Sequence, residues 1–196
     1  MNKTILLLLL AITALAATAQ PYNQNPTQSV CVGTQPYFID PATVPGATYH
    51  WSVSGGGTII SGSGTNSVTI DWTTAGGPYT VSVYLSSNGC DGQTQSVQVT
   101  VVASPSATIT YGSGSFCTSS QPVIVTHTGT SGGTYSASPS GLTINATNGT
   151  ITPATSTPGN YTITYTIAPA GGCPLYTTST TVTINQAPNT SPIWHN

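Results

Sequence analysis

The chain repeats itself, and the repeat limits what it can fold into more than any other feature of the sequence. Each half carries two cysteines about equally far apart, with an aromatic, alternating segment before the second, at residues 79–84 and 161–166. The cysteines are Cys31 and Cys90 in the first half, and Cys117 and Cys173 in the second. A chain of this length with two similar halves is predicted to form two small domains of the same kind, joined near residues 103–106.

Apolar residues alternate with Thr and Ser through both halves, and no stretch has the 3.6-residue period of a helix. This alternation predicts antiparallel strands with one buried face. Gly and Pro, 21 and 15 in number, separate the strands at short intervals. An all-β sandwich or barrel is therefore expected. The strands are predicted near residues 36–39, 48–53, 58–60, 67–72, 79–85 and 93–102, and near 107–111, 122–126, 134–136, 150–152, 161–167 and 176–184.

Residues 1–19 have the pattern of a cleaved secretory signal peptide. Lys3 gives a positive start, residues 5–15 are apolar apart from one threonine, and residues 17–19 form a small-x-small cleavage site. The alternative is a membrane anchor, but the apolar run is shorter than the ~20 residues that a spanning helix needs. We expect a secreted or surface-displayed protein, without membrane insertion after cleavage, that begins with a linker at residues 20–26.

Beyond residue 19 the chain contains no lysine, arginine or glutamate, and its only formal charges are Asp40, Asp71 and Asp91. Without cations it cannot neutralise phosphates, so nucleic-acid partners are excluded. General acid–base catalysis needs titratable groups close together, and the three Asp and three His are scattered. No G-x-S-x-G motif is present. The sequence therefore predicts no enzyme, no catalytic residue, no cofactor and no metal site.

The four cysteines are expected to form disulfides, because export places them in an oxidising compartment. Four cysteines allow three connectivities. The alignment of the halves selects Cys31 with Cys90 and Cys117 with Cys173, each bond closing one domain and contributing about 3 to 4 kcal/mol. The chain has no C-x-x-C and no paired histidines, so a redox or metal role for these cysteines is not predicted.

Residues 49–57, with Trp51 before a Ser and Gly run, are followed by residues 67–72 and 79–83 in a pattern that resembles the PKD-like domain of secreted Bacteroidota proteins. Residues 141–151 and 158–165 are similar to bacterial immunoglobulin-like and cadherin-like repeats of surface adhesins and gliding-associated proteins. The two resemblances imply two tandem immunoglobulin-like antiparallel β-sandwiches. The expected domains are a PKD-like sandwich at residues 27–103, an immunoglobulin-like sandwich at 104–185, and a C-terminal linker or truncated end at 186–196.

These features favour a non-enzymatic extracellular module, a stalk or spacer of a bacterial cell-surface adhesin or gliding-type protein. Its expected partners are other surface proteins or extracellular glycans. The alternative is a carbohydrate-binding accessory module of a secreted hydrolase, with an exposed aromatic ring such as Tyr84 as the sugar contact.

Overall fold

The structure is a computed structural model that describes residues 27–195. The predicted signal peptide at residues 1–19 and the linker at residues 20–26 lie outside the described residues. No helix in the described part of the chain is long and apolar enough to cross a bilayer.

The first half forms two facing sheets. One sheet contains, in spatial order, β1 (Thr27–Cys31), β8 (Gln95–Val102), β6 (Gly76–Ser87) and β3 (Thr48–Val53), with the short β7 (Cys90–Asp91) beside β6. The other contains β2 (Gly33–Phe38), β5 (Ser67–Trp72) and β4 (Gly57–Ser61), with β5 in the middle. Alternate residues of both sheets point between them, so the core of this sandwich lies there.

Trp72 is at the centre of the first core and is fully buried. Its indole Nε1 donates to the Tyr37 hydroxyl at 3.2 Å, and the ring of Tyr79 stacks on it with centroids 5.8 Å apart. The chain passes close over these rings at Gly56, where a Cβ atom would lie 2.2 Å from the Tyr79 ring. The glycine run after Trp51 thus lets the backbone cover the core at close range.

The second half forms a similar pair of layers. Its larger sheet contains β10 (Ser115–Cys117), β14 (Tyr176–Asn185), β13 (Gly159–Ile167) and β12 (Thr134–Ser138), in that order. The facing layer contains β11 (Thr126–Gly129) paired with β9 (Ala107–Thr110), together with isolated bridges from Ile151 to Val123 and Ile144. A single 3₁₀ turn, Pro153–Thr155, follows these bridges.

Ile151 and Ile163 are fully buried in the second core, and tyrosines surround them. Tyr161, near the start of β13, donates its hydroxyl to the Thr157 carbonyl four residues upstream at 2.6 Å. This is the arrangement of the tyrosine corner of immunoglobulin-like sandwiches.

The predicted fold class, all-β with two tandem sandwiches, is confirmed, and the alternation correctly places Val68, Ile70 and Trp72 inside. Several features differ from the prediction. Each sandwich contains one parallel pair, β1 with β8 and β10 with β14. The strand expected at residues 122–126 is only a bridge at Val123 before β11 begins, and the strand expected at residues 150–152 is only a bridge at Ile151, because the surrounding chain turns through loops. The short strands β1, β7 and β10 lie outside the predicted strands.

Candidate functional site: the junction between the sandwiches

The functional candidate with the most specific geometry lies where the first sandwich meets the second. β1 runs parallel to β8 and places Cys31 beside Val102, the last residue of β8. The Val32 amide continues the ladder by donating to the Val102 carbonyl at 2.9 Å. Cys31 therefore lies at the end of the first sandwich from which the chain leaves toward the second.

The second sandwich contributes a tight turn, Ala170–Cys173, that precedes β14. Gly171 and Gly172 have φ values of 58° and 82°, and the backbone amides and carbonyls of Ala170 and Cys173 are mutually hydrogen-bonded at 2.9 and 3.2 Å. Two consecutive left-handed residues between a bonded pair define a type I′ turn, for which glycine is suited. The turn presents Cys173 toward the first sandwich.

Cys31 and Cys173 form a disulfide with an S–S distance of 2.08 Å and a Cα–Cα distance of 4.6 Å. Both residues are buried, at 4% and 6% exposure. The bond closes a loop with a sequence separation of 142, a length at which chain entropy contributes about 5 kcal/mol in the loop-closure description. It covalently joins the two sandwiches.

The predicted pairing of Cys31 with Cys90 and of Cys117 with Cys173 is therefore wrong, and Cys90 and Cys117 are free thiols. Cys31 lies level with the start of β6, on the other side of β8, whereas Cys90 follows the far end of this 12-residue strand. At ~3.3 Å per residue the two ends of the strand are roughly 36 Å apart, far beyond the ~7 Å limit for a disulfide. The length of β14 separates Cys117 from Cys173 in the same way.

The turn also fits closely against the first sandwich. A Cβ atom on Gly172 would lie 2.6 Å from the Ser29 carbonyl oxygen and 2.6 Å from the Val30 Cα atom, and one on Gly171 would lie 2.9 Å from a Val102 methyl. Only glycine can occupy position 172 without displacing β1. The disulfide is therefore accompanied by direct backbone packing.

The connecting segment between the sandwiches is held from both sides. The Ser104 hydroxyl lies 3.4 Å from the Cys31 sulfur, and the Cys173 sulfur lies 3.6 Å from the Ala103 carbonyl oxygen. At Ser106 the chain joins the second sandwich, where its amide donates to the Thr130 hydroxyl at 3.1 Å. The short connecting segment, the close packing and the covalent bond together oppose hinge motion between the sandwiches.

The ionisable residues do not assemble into a site. Asp40 and Asp91 are exposed, and Asp71 is half-buried on β5. Among residues 27–195, no group of three or more His, Cys, Asp or Glu side chains could hold a metal ion. His127 is packed edge-on against Tyr165 at 4.9 Å, and its Nε2 atom is buried without a hydrogen-bond partner.

One aromatic pair lies on the outer face of the larger sheet of the first sandwich. His50 and Tyr84 are cross-strand neighbours, and their rings stack with centroids 4.6 Å apart. The His50 Nε2 atom is 2.7 Å from the Ser86 hydroxyl. Tyr84, named from the sequence as an exposed ring, is half-buried by this stacking.

Residues 17–101 match the family of PKD-like domains. None of the curated proteins compared with the chain matches it. Among solved structures, the insect immune protein hemolin is similar, with 12% identity, a TM-score of 0.42, and coverage of 83% of this chain and 45% of hemolin. The human mucin-like protocadherin EC1-2 gives 10% identity and a TM-score of 0.34 over 85% of this chain and 97% of its own. Murine CEACAM1b gives 13% identity and a TM-score of 0.37 over 83% of this chain and 96% of its own.

The chain thus spans less than half the length of hemolin and nearly all of the other two.

The sequence contains two signals for the positions of the cysteines that alternation does not reveal. The tetrapeptides Ser87–Cys90 and Ala170–Cys173 each have two central residues suited to a type I′ turn, Asn-Gly in one and Gly-Gly in the other. Such turns place the cysteine at a hairpin tip. Residues 27–31 and 115–117, which carry the other two cysteines, are short strands whose parallel partners lie far along the chain.

Proposed function

We propose that the protein is a non-enzymatic extracellular structural or adhesion module, a stalk or spacer at a bacterial cell surface that holds two β-sandwiches at one fixed angle. PKD-like and immunoglobulin-like sandwiches are commonly non-catalytic modules, and fold alone does not define a ligand. The proposed role is therefore mechanical and positional.

The observation that carries this proposal is the junction itself. A disulfide joins Cys31 to Cys173, and beside it Gly172 rests on the backbone of β1 with no room for a side chain. Sandwiches joined only by a short linker are expected to move relative to each other. A covalent bond beside the linker restricts that motion, which is what a spacer requires.

The disulfide, the predicted signal peptide and the composition support an extracellular location. Disulfides persist in oxidising compartments, and the first 19 residues are predicted to direct secretion. The near absence of charge after residue 19 leaves hydroxyl and amide groups to interact with water at the surface. These features suit a passive extracellular element.

The rigidity of the junction can be measured with the native free thiols. Fluorophores on Cys90 and Cys117 mark the far ends of the two sandwiches, and single-molecule energy transfer reports the distance between them. We expect one narrow distribution for the oxidised protein and a broad one for the Cys31→Ser/Cys173→Ser protein. Equally broad distributions in both proteins would contradict the spacer proposal.

Gly172→Ala separates the packing from the covalent bond. The new methyl group would collide with β1, so we expect a changed or broadened distance distribution although both cysteines remain. Gly89→Ala is the matched control, because Gly89 has nearly the same φ, 77° against 82°, and no neighbour within 4 Å of the added Cβ. Equal effects of the two substitutions would show that the packing does not fix the angle.

A second candidate function, carbohydrate binding, is favoured by the His50–Tyr84 pair. Stacked rings on the outer face of a sheet can contact the apolar face of a sugar, and the Ser86 hydroxyl beside them could bond a sugar hydroxyl. In that case the protein would be an accessory module of a secreted hydrolase.

Pull-down with insoluble polysaccharides tests this second candidate. Binding that is lost in Tyr84→Ala and kept in Phe38→Ala would support it, because Phe38 is a 65% exposed ring at the end of β2. Absence of binding by the unaltered protein would exclude the polysaccharides tested.

A further inference from the structure

The two free thiols lie at opposite ends of the two-sandwich unit. Cys90 closes a turn at the end of β6 that is farther from the junction, and Cys117 lies beside Asn185, at the end of β14 that is farther from the junction. Both are exposed. The unit therefore carries one thiol at each end and a disulfide in the middle.

The turn that presents Cys90 has the same form as the turn that presents Cys173. In the first sandwich Ser87 pairs with Cys90, and the two residues between them, Asn88 and Gly89, have φ values of 52° and 77°. The corresponding values for Gly171 and Gly172 are 58° and 82°. Both are two-residue turns with a cysteine in the last position.

Cys117 in turn has the surroundings of Cys31. Each is the last residue of a short strand that runs parallel to the last strand of its sandwich, Cys31 beside Val102 and Cys117 beside Asn185. The amide of the residue that follows each cysteine donates to the carbonyl of the neighbouring residue at 2.9 Å, Val32 to Val102 and Thr118 to Asn185. The junction consists of a turn that carries one cysteine and a parallel strand end that carries the other. The molecule has a second such turn at one end and a second such strand end at the other, with no bond between them.

The unjoined halves are also suited to one another. Gly89 takes the position of Gly172, the residue that must lack a side chain where the turn meets β1, and an added Cβ there has no neighbour within 4 Å. Asn88 takes the position of Gly171, which packs on Val102, and Asn185 takes the position of Val102. A polar residue in the turn thus corresponds to a polar, exposed residue on the opposite half.

We infer that Cys90 of one copy forms a disulfide with Cys117 of a second copy, through a junction built like the one between Cys31 and Cys173. The inference extends the proposed spacer function, since it makes the spacer a repeating unit. The contact uses different surfaces on the two copies. It therefore propagates head to tail into an open chain unless the rotation closes a ring.

The bond requires a two-electron oxidant, which we take to be a disulfide of low molecular weight or of an oxidase. The Cys90 thiolate attacks that disulfide, forms a mixed disulfide and releases one thiol. The Cys117 thiolate of the second copy then attacks the Cys90 sulfur and releases the other thiol. Two electrons and two protons pass from the two cysteines to the oxidant, which leaves as two thiols.

The test is oxidation of the purified protein with a glutathione redox buffer, followed by non-reducing electrophoresis and peptide mapping. We expect a ladder of oligomers in which Cys90 is joined to Cys117, with Cys31–Cys173 retained in every band. Monomer only, or mainly Cys90–Cys90 and Cys117–Cys117 bonds, would overturn the inference. A retained Cys31–Cys173 bond in the monomer would leave the spacer function untouched.

Two variants give the direction of assembly. Cys90→Ser and Cys117→Ser should each stop the ladder alone, and a mixture of the two should give a dimer that grows no further. A dimer formed equally well by either variant alone would contradict head-to-tail pairing.

Gly89→Ala tests whether the second junction packs like the first. Its methyl group would meet the partner strand, so we expect the ladder to form about tenfold more slowly. Gly46→Ala, at a comparable φ of 76° and also without a neighbour within 4 Å, should leave the rate unchanged. Equal rates for both variants would rule out the packed junction.

Discussion

The larger sheets of the two sandwiches have the same strand arrangement, but the two sandwiches fill their interiors differently. The first is centred on one large ring, Trp72, enclosed by Tyr37, Tyr79 and a glycine-rich segment that passes directly over it. The second has smaller aliphatic residues at its centre and uses tyrosine hydroxyls to hold its loops. The donors are Tyr111 to Gly149, Tyr161 to Thr157, Tyr165 to Thr130 and Tyr176 to Ala107.

The difference follows from the number of strands. The facing layer of the first sandwich has three regular strands, whereas that of the second has two strands and isolated bridges. Where ladder hydrogen bonds are fewer, loop carbonyls need other donors, because a buried carbonyl without a partner is costly. Tyrosine supplies such a donor and apolar area together.

Trp72→Ala should have the largest effect and should be confined to the first sandwich. Removal of a fully buried indole costs about 3–5 kcal/mol. Hydrogen exchange followed by mass spectrometry should show loss of protection in β5 and β6, with β13 and β14 unchanged. Trp194→Ala, at an 85% exposed position, is the control and should change neither. Equal loss in both sandwiches would mean that their cores are coupled.

Gly56→Ala should have the next largest effect. The added methyl would overlap the Tyr79 ring at a φ of 70°, which combines backbone strain with overpacking and should cost about 2–3 kcal/mol. Thermal denaturation followed by tryptophan emission reports this sandwich, because Trp51 and Trp72 lie in it. Gly46→Ala is the control, because it introduces the same backbone strain without an overlap. If it lowered the stability as much as Gly56→Ala, the effect would come from backbone strain alone.

Tyr111→Phe should weaken the second sandwich by about 1–2 kcal/mol. The hydroxyl is buried and donates to the Gly149 carbonyl, which would lose its donor. Tyr84→Phe, at a half-buried position on the outer face of the first sandwich, should cost less. Hydrogen exchange of β13 measures the change, and no loss of protection there would argue against hydroxyl anchoring.

Alkaline pH should destabilise the two sandwiches to different extents, and this difference should be smaller than the effects above. Burial is the main cause that raises the pKa of Tyr111 and Tyr135, with a further rise from a neighbouring tyrosine in each case. In the first sandwich burial raises the pKa of Tyr37, while the hydrogen bond from Trp72 lowers it.

Unfolded tyrosines ionise near pH ~10, whereas these folded ones stay neutral to higher pH. Their contribution to stability is therefore complete below about pH 10 and is lost as the pH rises above it. Melting temperatures at about pH 9 and pH 11 should fall further for the second sandwich, and Tyr111→Phe should reduce the fall. A larger fall for the first sandwich would contradict this order.

Local pattern predicts most of the longer strands and their inward faces, as Val68, Ile70 and Trp72 illustrate, but it misses the short strands β1 and β10. It does not predict which strand ends meet. Similar spacing shows that Cys31 corresponds to Cys117 and Cys90 to Cys173, but correspondence between repeats is not contact within one repeat. The Asn-Gly and Gly-Gly turns place two cysteines at hairpin tips, and the lengths of β6 and β14 then exclude bonds within a sandwich.

The disulfide between Cys31 and Cys173 has a mechanical consequence. β1 begins at the far end of the first sandwich and ends at Cys31, and Cys173 precedes β14, which ends at the far end of the second sandwich. Tension along the protein therefore passes from β1 through the disulfide into β14 by covalent bonds, and the other strands carry no load. If the disulfide is reduced, the same tension pulls the parallel neighbours β1 and β8, and β10 and β14, in opposite directions, so that their hydrogen bonds are loaded in shear and must yield together.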